Sequence, residues 1–251
     1  MIKCGDALDL LKELPDNSVD CAVVDPPYYR IMLADWTGRK YEWDNQWDNF
    51  GHYLEWVSKW ILEIKRILKE NGSLYIFAND KLACYVRRTA EEVGYGLVNE
   101  IVWVKRNVFA NKGWRGHHIY TPLTERILFF AMAENERKQG TDKARRYFNQ
   151  DSNFTDVWIG NMTVSTDEQV HPTQKPLWLL RRIIKTSCPP GGVVLDPFMG
   201  SGTTGVVCEV LNRTFIGFEM DKTYFEIAEK RIREQKYICK LYNFDSVLEG
   251  I

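Results

Sequence analysis

Val193-Val194-Leu195-Asp196-Pro197-Phe198-Met199-Gly200-Ser201-Gly202-Thr203-Thr204 has the pattern of a buried strand handing over to a helix through a glycine loop. A short apolar run stops at Pro197, a glycine-bearing loop follows, and a helical pattern then runs to about Leu211. Glycines at a strand-to-helix handover let the backbone approach a bound ligand closely. The next apolar run, Thr214 to Phe218, leads into Glu219, 23 residues after Asp196. Dinucleotide folds place an acidic side chain on ribose hydroxyls at an offset of roughly 20 residues, so adenosine is the implied moiety. The glycines do not spell the full dinucleotide fingerprint and no Gly-Lys-Ser/Thr follows, so neither a pyrophosphate cradle nor a P-loop is supported. The bland alternative is a tight turn beside a surface glutamate.

The same grammar recurs along the chain and predicts an α/β protein. Ala7 to Glu13 reads as a helix, and Val19 to Val24 as a buried strand broken by Pro26 and Pro27. Leu54, Val57, Ile61, Ile64 and Leu68 recur at intervals of three and four, which predicts an amphipathic helix from Leu54 to Glu70 closed by Asn71-Gly72. Strands are expected at Ser73 to Ala78, Leu97 to Lys105 and Arg126 to Ala133, with a helix from Lys81 to Val93 between the first two. Pro176 opens a helix through Ser187, Pro189-Pro190-Gly191-Gly192 turns the chain into Val193, and a last helix starts near Asp221. Two stretches break the alternation. Tyr29 to Asn49 is a long loop holding Trp36, Trp43 and Trp47, and Arg106 to Tyr120 with Glu134 to Gln169 is polar and irregular; both read as insertions on one domain.

Composition bounds the function classes. The 251 residues suffice for a real core, and 33 basic against 34 acidic side chains give a net charge of -1. A uniformly basic nucleic-acid coat is excluded, so any grip on a polyanion comes from local clustering. The six cysteines, Cys4, Cys21, Cys84, Cys188, Cys208 and Cys239, show no Cys-x-x-Cys pair or metal-ligand spacing and read as reduced thiols. His117-His118 have no partner pair spaced for a metal and read as surface residues or phosphate contacts, so no metal is expected. Met1-Ile2-Lys3-Cys4-Gly5-Asp6 lacks a signal-peptide pattern, and the longest apolar run, Ile127 to Ala133, is far too short for a membrane span; a cytoplasmic, soluble protein is expected.

Asp25-Pro26-Pro27-Tyr28 also follows a strand, and parallel strands direct their C-terminal ends to one crevice, so this loop should face the glycine loop. The prolines stiffen the backbone, leaving Asp25 and the Pro26 carbonyl as fixed acceptors and Tyr28 as a flat ring. Acceptors beside a ring suit an aromatic amine; the alternative is an ordinary proline turn. For nucleic-acid contact the best window is Val104 to His118, where Lys105, Arg106, Lys112 and Arg115 occur without an acid and Phe109 and Trp114 are interleaved. Glu134 to Gln150 adds Arg137, Lys138, Lys143, Arg145 and Arg146 against three acids. A solvated loop is the competing reading of both. The tryptophans of Tyr29 to Asn49 would either cover a flipped base or pack in the core.

On these motifs the chain resembles the β class of DNA amino-methyltransferases that use S-adenosylmethionine. Asp25-Pro26-Pro27-Tyr28 looks like the catalytic motif, and Phe198, Gly200 and Gly202 supply the Phe-x-Gly-x-Gly of the cofactor loop. Gly5-Asp6 and His171-Pro172-Thr173-Gln174-Lys175-Pro176 match at the expected places, and the order, catalytic half first and cofactor half last, is that of the class. The resemblance covers most of the chain. It implies a Rossmann-like methyltransferase fold, a mostly parallel doubly wound sheet with inserted DNA-recognition loops. Residues 1-251 would form a single domain: 1-105 the catalytic half, 106-169 the target-recognition insertion, 170-251 the cofactor half. It further implies that Asp6 reaches the adenine, Lys175 lies near the carboxylate end, Glu219 binds the ribose, and Phe198 and Gly200 line the pocket, with Asp25, Asp196, Ser201, Gly202 and Thr203 in the same cofactor site. Blander readings stand beside these: Asp6 as a helix cap, Lys175 as a solvated charge, His171 as a loop histidine.

The implied reaction is methylation of the N6 amine of adenine in double-stranded DNA, as in restriction-modification systems, with a homodimer as a candidate assembly. N4-cytosine methylation is the closest rival; in the family, Ser in place of Asp25 is more typical of it. RNA or protein-glutamine methyltransferases, whose usual motif begins with Asn, and a catalytically silent DNA-binding relative complete the alternatives.

Overall fold

Strands and helices alternate because apolar runs alternate with amphipathic ones. The computed structural model describes residues 1–29, 46–106, 122–132, 146–149, 155–162 and 174–242, the backbone alone from 236 onward. The strands are β1 (Ile2–Cys4), β2 (Val19–Val24), β3 (Leu68–Ala78), β4 (Tyr95–Lys105), β5 (Thr124–Met132), β6 (Val157–Gly160), β7 (Val193–Asp196) and β8 (Thr214–Glu219). The helices are α1 (Ala7–Lys12), α2 (Phe50–Ile67), α3 (Ala83–Val93), α4 (Leu177–Ser187), α5 (Thr203–Val210) and α6 (Lys222–Tyr242).

One sheet of eight strands takes the order β1-β8-β7-β2-β3-β5-β4-β6, and among the described residues only β5 runs against the rest. Because strand side chains alternate, each buried strand feeds two cores. Ala22 and Val24 of β2 with Leu74 and Ile76 of β3 pack under α1, α2 and α3, through Leu11, Tyr53, Ile61 and Val86. Cys21 and Val23 with Tyr75 and Phe77 face the other way, onto Leu180, Ile184 and Val207 of α4 and α5 and Ala228 of α6. Burial on both faces explains why Val19 to Val24 reads as a nearly continuous apolar run.

Several boundaries depart from the sequence reading. Helix α2 starts at Phe50 because the Asn49 side chain caps it, accepting from His52 N at 3.0 Å. It ends at Ile67, not at Asn71-Gly72: the amides of Asn17 and Ser18 take the carbonyls of Arg66 and Ile67, and Leu68 pairs with Val19. Sheet pairing thus claims the backbone three residues before the expected helix end at Glu70, and Gly72 lies within β3, in the register shift opposite β2. Pro176 caps α4 rather than sitting in its first turn. Strands β1 and β6 were not anticipated. β1 is three residues long and pairs with β8, while β6 pairs with β4 inside the stretch read as irregular. Neither is long enough to show a period of its own. Among the described residues no helix is long and apolar enough to cross a membrane.

Candidate active site

β2 and β7 lie side by side and parallel, and the chain winds away from them in opposite directions, β2 toward β3 and β7 toward β8. The loops leaving their C-terminal ends therefore diverge and open a crevice, as expected at a switch point in sheet topology. A cleft of about 310 Å³ occupies this place, lined by Asp25, Pro26, Tyr28, Phe198, Gly200 and Glu219 among others. The two motifs do face each other.

On the catalytic side, Asp25 is held rather than free. Its Oδ2 accepts from Lys175 Nζ at 2.6 Å and its Oδ1 from the Tyr28 hydroxyl at 2.9 Å. Tyr28 lies equally close, 2.9 Å, to Oε1 of Glu125, which is also 3.1 Å from Lys175 Nζ. Lys105 closes the group with an ion pair of 2.8 Å to Glu125 Oε2. Two carboxylates and two ammonium groups thus balance each other in a site where Glu125 is 7% and Lys175 8% exposed. Burial raises the Asp25 carboxyl above its ordinary range; Lys175 opposes the rise and Glu125 adds to it. Burial would raise Glu125 as well, but Lys175 and Lys105 together hold it below the ordinary value. Lys105 pairs with Glu125, whereas Lys175 reaches both carboxylates, so the two carboxyls are displaced from their ordinary ranges in opposite directions. Lys175, despite burial, stays protonated because both carboxylates raise its pKa. Burial, then Asp25 and Glu125, raise the Tyr28 phenol.

On the other side of the cleft, Asp196 organises the glycine loop from beneath. Its Oδ1 accepts from Phe198 N at 3.1 Å and its Oδ2 from the Thr204 hydroxyl at 2.5 Å; burial pushes its carboxyl up to about 7. Gly200 and Gly202 both take positive φ, 51° and 78°. Gly202 also meets α6 closely, since a Cβ there would lie 2.8 Å from that of Ala228. Glu219 Oε2 accepts from Gly200 N at 2.9 Å and Oε1 from Asp221 N at 2.8 Å, so backbone amides hold this carboxylate at the wall of the cleft. Ser201 and Thr203 are buried, and Arg231 Nη1 reaches the Ser201 carbonyl, the Ser201 hydroxyl at 2.9 Å and the Thr203 hydroxyl at 3.4 Å. Flat faces come from Phe198 and from Trp56, whose rings are 5.4 Å apart and both line the cleft. Carboxylate acceptors, exposed backbone at glycines and aromatic faces together fit an adenosine-bearing ligand.

Some expected residues are placed differently. Asp6 caps α1, its Oδ1 accepting from Leu8 N and Asp9 N at 2.9 and 3.2 Å, and it lines the cleft as well. Lys175 is engaged by Asp25 and Glu125, which draws it toward the catalytic motif. Lys105 points inward: its side chain is 17% exposed and its Nζ sits 5.0 Å over the Trp103 ring. Arg106 is exposed. Lys112, Arg115, His117, His118 and His171 lie outside the described residues, as do Trp36 and Trp43. Trp47 packs on Tyr53 and Trp56, both at 4.9 Å, and belongs to the core. Glu125, Trp56 and Arg231 escaped the sequence reading. For Glu125 a signal exists: it precedes Ile127 and Phe129 in period two, on a face that is otherwise buried and apolar.

A family model described as DNA methylase matches residues 19–230. The chain is 32% identical over 246 residues to type II methyltransferase M.HinfI of Haemophilus influenzae, covering 92% of this chain and 68% of that one. It is 34% identical over 252 residues to type II methyltransferase M2.DpnII of Streptococcus pneumoniae, covering 92% and 88%. Its fold matches the crystal structure of an M1.HpyAVI–SAM complex with a TM-score of 0.69 at 30% identity, covering 92% of this chain and 98% of that one.

Proposed function

The chain belongs to the DNA methylase family, and on that premise we propose that it transfers a methyl group from S-adenosylmethionine to the N6 amine of adenine in duplex DNA. One observation carries the reading: Asp25-Pro26 and the Phe198–Gly202 loop open into the same cleft, so an amine and a methyl donor would meet there. Phe198, Gly200 and Glu219 would hold the donor, Glu219 by accepting from the ribose hydroxyls. When bound, the donor supplies an electrophilic methyl group on a sulfonium.

The residues of the catalytic loop prepare the acceptor. A nucleobase amine is a poor nucleophile because its lone pair is delocalised into the ring. Hydrogen bonds from its two protons to Asp25 and to the Pro26 carbonyl favour the pyramidal nitrogen of the transition state. Both Asp25 oxygens already accept one bond, and each keeps a lone pair for the amine. Burial suits Asp25 to receive the proton that the methylated amine must shed. The target base must leave the duplex, at a cost of roughly a few kcal/mol, and the Tyr28 ring, pinned by its hydroxyl, would offer a stacking face. Arg106, with Lys112 and Arg115, would meet phosphates. Aspartate rather than serine at position 25 favours adenine over the N4 amine of cytosine.

The test is to incubate unmethylated genomic DNA with labelled methyl donor and analyse its nucleosides by mass spectrometry. N6-methyladenine is expected. N4-methylcytosine would replace the base, and label in RNA or protein alone would overturn the DNA substrate. Donor binding without transfer to any of the three would reduce the chain to a silent DNA-binding relative.

A further inference from the structure

Asp25 accounts for the chemistry at the amine, yet a second carboxylate is buried behind it at some energetic cost. Glu125 enters from β5 and touches the same two groups that Asp25 touches, the Tyr28 hydroxyl and Lys175 Nζ. The two bridges differ in proton count. An ammonium carries three protons and satisfies both carboxylates at once, whereas a phenol carries one and donates to a single carboxylate at a time. The 2.9 Å contacts of Tyr28 to both therefore describe a hydrogen with two available acceptors.

We infer that Glu125 is a positioning residue for methyl transfer, the alternate acceptor that takes the Tyr28 hydrogen when Asp25 receives the amine proton. The inference rests on the proposed amine methylation. As the nitrogen–methyl bond forms, the methyl–sulfur bond breaks and its electron pair stays on sulfur. The N–H electrons then return to nitrogen, and that proton passes to Asp25. A neutral Asp25 is a weaker acceptor than an ionised Glu125, so the phenolic hydrogen turns to Glu125 Oε1 in a charge-assisted bond. Glu125 gains no proton. The positive charge lost by the sulfonium remains on the network of Asp25, Glu125, Lys175 and Lys105, and Lys105 at 2.8 Å keeps Glu125 ionised throughout.

Glu125→Gln tests this, since it preserves shape and an acceptor for the phenol while removing the charge. The substrate is unmethylated genomic DNA, and the readouts are kcat, KM for DNA, donor affinity by calorimetry and the pH profile of single-turnover methylation. The groups facing Asp25 are Lys175 ahead of α4, Tyr28 on its own loop, Asp196 at the end of β7 and Glu125 on β5. Only the last is altered. Its charge raises Asp25, so its loss should move the acid limb to lower pH and lower kcat by about tenfold or more, with KM and donor affinity retained. In a Tyr28→Phe background, which keeps every ion pair, Glu125→Gln should cost much less than it does alone. A folded Glu125→Gln variant with a reduced rate and an unmoved acid limb would make Glu125 a structural brace and overturn the inference, as would full additivity with Tyr28→Phe. Should Glu125→Gln misfold, normal turnover by Tyr28→Phe would overturn it by itself. A wild-type protein that transfers no methyl to DNA would instead overturn the proposed function, and this inference with it.

Discussion

At the scale of single residues, the role proposed for Asp25 draws on two features, support from both sides and burial. Lys175 holds one of its oxygens and Tyr28 the other, yet burial keeps its proton affinity above that of an exposed carboxylate. Asp25→Ala leaves Lys175 paired with Glu125 at 3.1 Å, so no buried ammonium is stranded and the fold should persist. Turnover is expected to fall about a hundredfold or more while donor binding by calorimetry stays within a few-fold of wild type, and Asn at this position should restore a trace. Near-normal turnover by the alanine variant would remove Asp25 from the chemistry.

At the scale of elements, the glycine loop depends on a helix that comes after it in the chain. The loop's own bonds to Asp196 and Glu219 fix its ends, but Arg231 on α6 ties down the Ser201 carbonyl and the hydroxyls of Ser201 and Thr203, and Ala228 packs against Gly202. Burial lowers the Arg231 pKa, and its hydrogen bonds to Ser201 and Thr203 are the contacts that accompany that desolvation. Arg231→Met keeps the length and removes the donors. Hydrogen bonds from a charged group are typically worth about 1.5–3 kcal/mol, so donor affinity should weaken roughly tenfold or more with a small loss of melting temperature. Unchanged affinity in a folded variant would show that the loop holds its shape without α6. Strand β6 likewise depends on a distant element: by pairing with β4 it draws part of the expected recognition insertion into the sheet.

For the whole molecule, two solution properties follow from where charges are buried. Asp196 is raised to about 7, so its folded pKa lies above its unfolded one near 3.8. Its contribution to stability is therefore fully present below about pH 4 and is lost as pH rises through 7. Asp196→Asn keeps an acceptor for Phe198 N and a partner for Thr204. It should gain on wild type between pH 4 and 8 in denaturant melts, by at most about 4 kcal/mol at ~1.4 kcal/mol per pH unit. A constant difference across that range would refute the assignment. The second property is the salt dependence of DNA binding. Lys105→Met should leave the slope unchanged and collapse turnover, because that lysine serves Glu125. Neutralising Arg106, Lys112 and Arg115 should instead flatten the slope by about one unit for each phosphate that no longer meets a cation, with donor binding intact. A Lys105 variant with a flattened slope would return that residue to the DNA surface.

Most of the elements in their order, and the two loops that meet at the cleft, were legible in the sequence because each is encoded locally. Two prolines after Val24, glycines after Asp196 and the alternation of apolar runs act over a few residues, and backbone sterics and period suffice to read them. The elements that went unread, β1 and β6, owe their existence to distant partners, and α2 stops at Ile67 because residues 17–19 pair there. The charged network is the extreme case. Tyr28, Lys105, Glu125 and Lys175 are separated by up to 147 residues; in sequence Tyr28 reads as a stacking ring, Lys175 as a cofactor contact and Lys105 as a phosphate contact, and nothing there ties any of them to Glu125. The sheet order, which sets β2, β3, β5 and β4 side by side, brings Tyr28, Glu125 and Lys105 behind Asp25, and the chain entering α4 adds Lys175. Electrostatics depends on separation in space and on exclusion of water, and a sequence specifies neither until the chain has folded.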